Sequence, residues 1–167
     1  FELETWLRDS CEALDHKVAS DDKESKVSVS LNPNARAAYS RGVDEMKAGR
    51  NQEAADYFAT ALAIDSVFTF AWDNLGLCYR KLGQYEKALH CYRKSLSFDP
   101  KGKLPLQNIP IVYEYMGDHD KALASFRDLL LVYPDDPEAF YGSGRIYAMK
   151  KDHEQALDQM CKAYNLY

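Results

Sequence analysis

The polypeptide repeats itself every 34 residues, and this period constrains the fold more than any other feature of the chain. Shifted against itself without a gap, the sequence brings Gly42, Gly76 and Gly144 into one column, with Pro110 in the remaining slot. Ala54, Ala88, Ala122 and Ala156 form a second column, and Phe58, Tyr92, Phe126 and Met160 a third. Gly49, Gly83 and Gly117 share a fourth, completed by Lys151, while Ser66, Pro100 and Pro134 close the first three units. Such a unit cannot bury its apolar face alone; it does so by stacking on its neighbours.

Each unit reads as helix, tight turn, helix. In the second, Trp72, Leu75 and Tyr79 mark one helical face, and Ala88, Leu89, Tyr92 and Leu96 mark the next. Gly83 stands where a helix C-terminus favours a left-handed residue, and Asp99-Pro100 stops the second helix. A glycine inside a helix costs about 1 kcal/mol against alanine. Gly76 is therefore expected where a neighbour approaches closer than a Cβ allows, with the paired helices meeting around Gly76 and Ala88.

These columns resemble the tetratricopeptide repeat, whose signature the second unit reproduces almost completely as Trp72, Leu75, Gly76, Tyr79, Ala88, Tyr92 and Pro100. The resemblance spans residues 35–68, 69–102, 103–136 and 137–167. It implies an all-α fold, a right-handed α-solenoid of helix-turn-helix hairpins (an α-α superhelix). Two departures carry expectations. Pro110 replaces a small residue and is expected to kink or loosen its helix. Arg41 and Glu45 replace a leucine and a tyrosine that normally pack on a preceding repeat, which suggests that the first unit is an N-terminal end.

Residues 1–17 carry Leu3, Trp6, Leu7, Cys11 and Leu14 near one face, an amphipathic helical pattern, and residues 18–34 read as a polar linker. That stretch caps the first unit, docks in a groove of its own chain or of a neighbour, or forms a disordered tail. The chain starts at Phe1 rather than Met, so a fragment or processed product is expected. At the other end Leu157, Cys161 and Tyr164 are expected to be partly exposed, for want of a polar capping helix. This fits a continuing chain or contact with another molecule.

The resemblance further implies that the first helix of each unit lines a concave surface. Carried over, the inward residues are Arg36, Tyr39, Val43, Met46 and Lys47 in the first unit and Phe70, Asp73, Leu77, Arg80 and Lys81 in the second. The third offers Leu104, Gln107, Ile111, Glu114 and Tyr115, and the fourth Glu138, Tyr141, Arg145 and Met149. Within each unit the spacing of three or four keeps them on one helical face. Such a lining suits an extended peptide or amphipathic helix with apolar anchors, and the cations Arg36, Lys47, Arg80, Lys81 and Arg145 suit acidic groups on it. Chaperone-binding members of the family resemble one another in lysines, asparagines and an arginine that grip a terminal carboxylate. Here Asn74 alone matches in type, so recognition of such a tail is not expected.

No catalytic pattern competes with this reading. There is no phosphate loop, HExxH, G-x-S-x-G or dinucleotide fingerprint, so no catalytic residue, cofactor or metal is expected. His119 and His153 occupy equivalent turn positions but lack evident third and fourth metal ligands. Cys11, Cys78, Cys91 and Cys161 form no CxxC and read as buried structural thiols, which leans toward a reducing, cytoplasmic compartment with an exported protein as the alternative. A net charge of -5 argues against nucleic acid, and no apolar run approaches the ~18 residues of a membrane span. The expected function is a non-catalytic protein–protein interaction scaffold that binds a peptide or helix of a partner. The alternative is self-assembly through the N-terminal helix or the C-terminal face.

Overall fold

A computed structural model describes residues 29–166. The helix expected over 1–17, Cys11, and most of the expected linker 18–34 lie outside the described residues. Eight α-helices and no strand occur among the described residues. They are α1 (Pro33–Lys47), α2 (Asn51–Ile64), α3 (Thr69–Lys81), α4 (Tyr85–Phe98), α5 (Lys103–Tyr115), α6 (His119–Val132), α7 (Pro137–Met149) and α8 (His153–Leu166). The chain is thus an all-α solenoid.

Each odd-numbered helix packs most closely on the even-numbered helix that follows it, which makes four hairpins, and successive hairpins stack. The first helices of neighbouring hairpins also touch, α3 on α5 and α5 on α7, with no comparable contact between second helices. Closer approach on that side places the first helices along the shorter, inner arc.

The turns within hairpins are built alike. Gly49, Gly83 and Gly117 adopt φ of 79°, 73° and 78°, and Lys151 adopts 62° in the equivalent place. In each, the residue after the left-handed one donates its N–H five residues back, as Arg50 does to Glu45, Gln84 to Tyr79, Asp118 to Tyr113 and Asp152 to Tyr147. Asn32, Asp118 and Asp136 cap α1, α6 and α7 by accepting backbone N–H groups. Glu45, one of the polar replacements in the first unit, pairs with Arg50.

Side chains are the nearest neighbours at the three helical glycine positions of this column, with backbone of α8 also close at Gly144. A Cβ on Gly76 would lie 2.7 Å from Cε1 of Tyr92, one on Gly42 2.7 Å from Phe58, and one on Gly144 2.8 Å from Met160. The expected meeting of helices around Gly76 and Ala88 is corrected accordingly: the ring of the paired helix seats in the notch that the glycine leaves. Helix α5 runs unbroken from Lys103 to Tyr115 through Pro110, where the expectation was a kinked or loosened helix. The consequence falls on Phe126 instead. Pro110 occupies its notch within the third unit, and its ring lies against Gly142 of the next hairpin, where a Cβ would come within 2.2 Å of Cζ.

The core divides into clusters that straddle the junctions between hairpins. Phe58, Phe68, Leu75 and Cys78 belong to one, Leu89, Tyr92 and Val112 to a second, and Phe126, Leu129 and Ile146 to a third. Cys78 and Cys91 are buried, whereas Cys161 is exposed, in line with the expectation for the last helix and against its reading as a buried thiol. It lies on the outer stripe of α8, which has no following helix to cover it among the described residues. Leu157 and Tyr164 on that helix are 66% and 82% exposed.

Candidate functional site

The inner arc is made by α1, α3, α5 and α7, whose residues three and four apart project together. The third and fourth hairpins bring five of the sequence-predicted residues into one recess: Gln107, Ile111, Glu138, Tyr141 and Arg145. The cavity measures about 330 Å³ and is completed by Asn108, Phe126, Leu129 and Gly142. Phe126 and Leu129 are buried, so the floor is apolar.

The missing side chain of Gly142 has two effects there. It seats the Phe126 ring that Pro110 displaces, and it leaves α7 without bulk beside Tyr141. Sequence comparison between units did not single out Phe126, Leu129, Asn108 or Gly142 as site residues. The available signal was the extra glycine: the same column holds Ser40, Asn74 and Asn108.

Polar groups at this recess are largely engaged within the chain. Arg145 Nη2 is 2.5 Å from Glu114 Oε2, and the guanidinium lies over the Tyr141 ring at 5.8 Å. Two residues expected to face a partner independently therefore hold each other. Arg145 Nε is buried without an acceptor. Gln107 donates at 3.0 Å to Asp136, the buried N-cap of α7, which also takes Lys103 at 3.1 Å. Asn108 donates to the Leu104 carbonyl at 2.8 Å. Leu104 itself is exposed.

The first two hairpins place their predicted residues differently. Tyr39 is wedged between Phe58 and Phe68, with centroids 5.4 and 4.7 Å away, and accepts a hydrogen bond from Asn74 at 2.7 Å. Burial raises its phenol pKa. Val43 and Met46 pack on the same core cluster. Asp73 was expected in the groove, but its residue is 5% exposed and lies beneath the surface. Burial pushes its carboxyl up to about 6, with the Ser95 hydrogen bond opposing and the charge of Asp99 reinforcing the shift. Its Oδ1 has no hydrogen-bond partner. Leu77 and Arg80 are half-buried, and Arg36, Lys47, Phe70, Lys81 and Met149 are exposed.

Tyr115 also departs from the groove expectation. It stacks parallel on Tyr85 at 5.9 Å and, with Arg80 and Lys81, borders a recess at the turn edge of the solenoid. The inner surface is thus one apolar recess at the α5/α7 junction, continued toward α1 by a shallower face carrying cations.

Nothing in this arrangement resembles an activated nucleophile. Burial lifts the thiols of Cys78 and Cys91 to about 11 and about 12, where thiolate is scarce at neutral pH. Among the described residues, no group of three or more His, Cys, Asp or Glu converges as metal ligands. Nor is any helix there long and apolar enough to cross a membrane.

Comparison with known proteins gives a consistent picture. Two tetratricopeptide repeat models match the chain, one over residues 70–101 and the other over 28–67 and 111–165. No curated protein sequence is significantly similar to it. Among solved structures, a crystal structure of MamA superposes with a TM-score of 0.75 at 19% identity, over 95% of this chain and 91% of that one. MamA from Desulfovibrio magneticus gives 0.73 at 20% identity, over 82% and 77% of the respective chains. A tetratricopeptide repeat protein from Parabacteroides merdae gives 0.71 at 24% identity, covering 78% of this chain and 52% of that one. At these identities the likeness establishes the fold.

Proposed function

The chain belongs to the tetratricopeptide repeat family, a family of protein–protein interaction scaffolds, and on that premise we propose that its inner face binds a peptide or helix of another protein without catalysis. The observation that carries the reading is the recess between α5 and α7, whose lining includes the buried Phe126 and Leu129 together with Ile111, Tyr141 and Arg145. A cavity of 330 Å³ takes one bulky apolar anchor, which contributes roughly 1.5–3 kcal/mol before ordering costs. Arg36 and Lys47 supply exposed positive charge along the same face for flanking acids.

Peptides selected from a displayed library against the immobilised chain test this. An Ile111→Ala/Tyr141→Ala variant is expected to bind the selected peptides at least about tenfold more weakly, the equivalent of 1.4 kcal/mol. Unchanged affinity in the folded variant would place recognition elsewhere.

A second reading, self-association, is favoured by one observation: Leu157 and Tyr164 form an apolar stripe exposed on α8. Sedimentation over a wide concentration range tests it, and a single mass throughout counts against it.

A further inference from the structure

The α5/α7 recess has a counterpart in the chain's own sequence. Residues 1–17 carry Leu3, Trp6, Leu7 and Leu14 at helical spacing, together with five acidic and two basic residues. The face opposite carries exposed cations toward its α1 end, Arg36 and Lys47, while at the recess itself Arg145 is held by Glu114 and Glu138 is an exposed acid.

The reach is sufficient. Residues 18–28 span up to about 36 Å when extended. Packed helices lie about 8–10 Å apart, so α7 is on the order of 30 Å from α1 along the inner arc.

We propose that residues 1–17 dock in the concave face of their own chain, with Trp6 seated in the recess between α5 and α7. This rests on the groove reading above and gives it a ligand class: an acidic amphipathic segment with one aromatic anchor. It also makes the segment a competitor. A groove occupied nine-tenths of the time by its own chain binds an outside peptide about tenfold more weakly.

The tryptophans make this measurable, since Trp6 and Trp72 are the two in the chain. In the full chain carrying Trp72→Phe, Trp6 emission is expected to be blue-shifted and shielded from acrylamide. Adding Ile111→Glu and Tyr141→Glu is expected to return it to the emission of hydrated indole with helical circular dichroism unchanged. If Trp72→Phe fails to fold, fluorotryptophan NMR of the native chain resolves both indoles and reads the same shift. Trp6→Ala is expected to raise the affinity of selected peptides about tenfold.

A hydrated Trp6 in the full chain overturns the proposal while leaving the groove reading to its own peptide test. Shielding that survives the two groove substitutions overturns it as well. Shielding that grows with protein concentration assigns the segment to a second copy and overturns docking within the chain.

Discussion

Replacing Asp73 by asparagine is expected to stabilise the protein at neutral pH and to lose that advantage in acid. Asp73 is 5% exposed, one of its oxygens lacks a partner, and its carboxyl titrates at about 6 instead of its ordinary 3.8. At 1.36 kcal/mol per pH unit, that difference corresponds to about 3 kcal/mol of penalty on the ionised form in the fold. The folded chain binds the proton more tightly than the unfolded one. Stability from this group is therefore fully present below pH 3.8 and is lost as the pH rises through about 6. Asparagine keeps an acceptor for Ser95 and removes the charge, while its own buried amide takes back part of the gain. The net expectation is about 1–3 kcal/mol of stabilisation at pH 7.5, a difference that drops by about 3 kcal/mol toward pH 3.5, where the variant is no more stable than the native chain. Urea unfolding of both proteins across that pH range measures it. The surface carboxylates Asp118 and Asp158, whose pKa values lysine partners lower, lose their contributions in acid, but they do so equally in both proteins and cancel from the difference. A stability difference that is independent of pH, or an asparagine variant weaker at pH 7.5, would refute the reasoning.

Four further outcomes follow from the geometry. Lys151→Gly is expected to stabilise the last hairpin by about 1 kcal/mol, because φ of 62° is costly for a side chain and free for glycine; thermal unfolding checks it. Gly76→Ala is expected to lower stability by about 1–2 kcal/mol despite alanine's better helix propensity, since Tyr92 is wholly buried and cannot yield the 2.7 Å site. Gly83→Ala, where no neighbour lies within 4 Å, should lose about 1 kcal/mol through backbone strain alone. In a Cys11→Ser background, a thiol reagent at pH 8 is expected to label Cys161 rapidly and Cys78 and Cys91 only on unfolding, followed by mass spectrometry.

The fold was legible because its determinants are local and repeated. The turn glycines, the ring-on-glycine columns and the helix stops each recur at a fixed distance, so one unit explains the others. The site was legible only in part. Spacing puts Tyr39, Asp73, Gln107 and Tyr141 in one column, yet the structure buries Asp73, wedges Tyr39 against two phenylalanines and leaves Tyr141 exposed. Which member of a column reaches the surface depends on the helix in the next hairpin, and that is not encoded within the unit. Gly142 was opaque for the same reason. Its meaning lies in Phe126, in a different hairpin, and in the proline that displaced that ring.

This exchange redistributes cooperativity along the solenoid. In the first and second hairpins the ring of the second helix, and in the fourth the Met160 side chain, closes on the first helix of the same unit, which adds to that unit's intrinsic stability. Phe126 closes on its neighbour, so its burial counts as coupling between adjacent units. The last hairpin is therefore coupled to the third through that ring, and the pair is expected to open as one block. Amide exchange should report a common opening rate across α5 to α8, where a terminal unit left to itself would fray first.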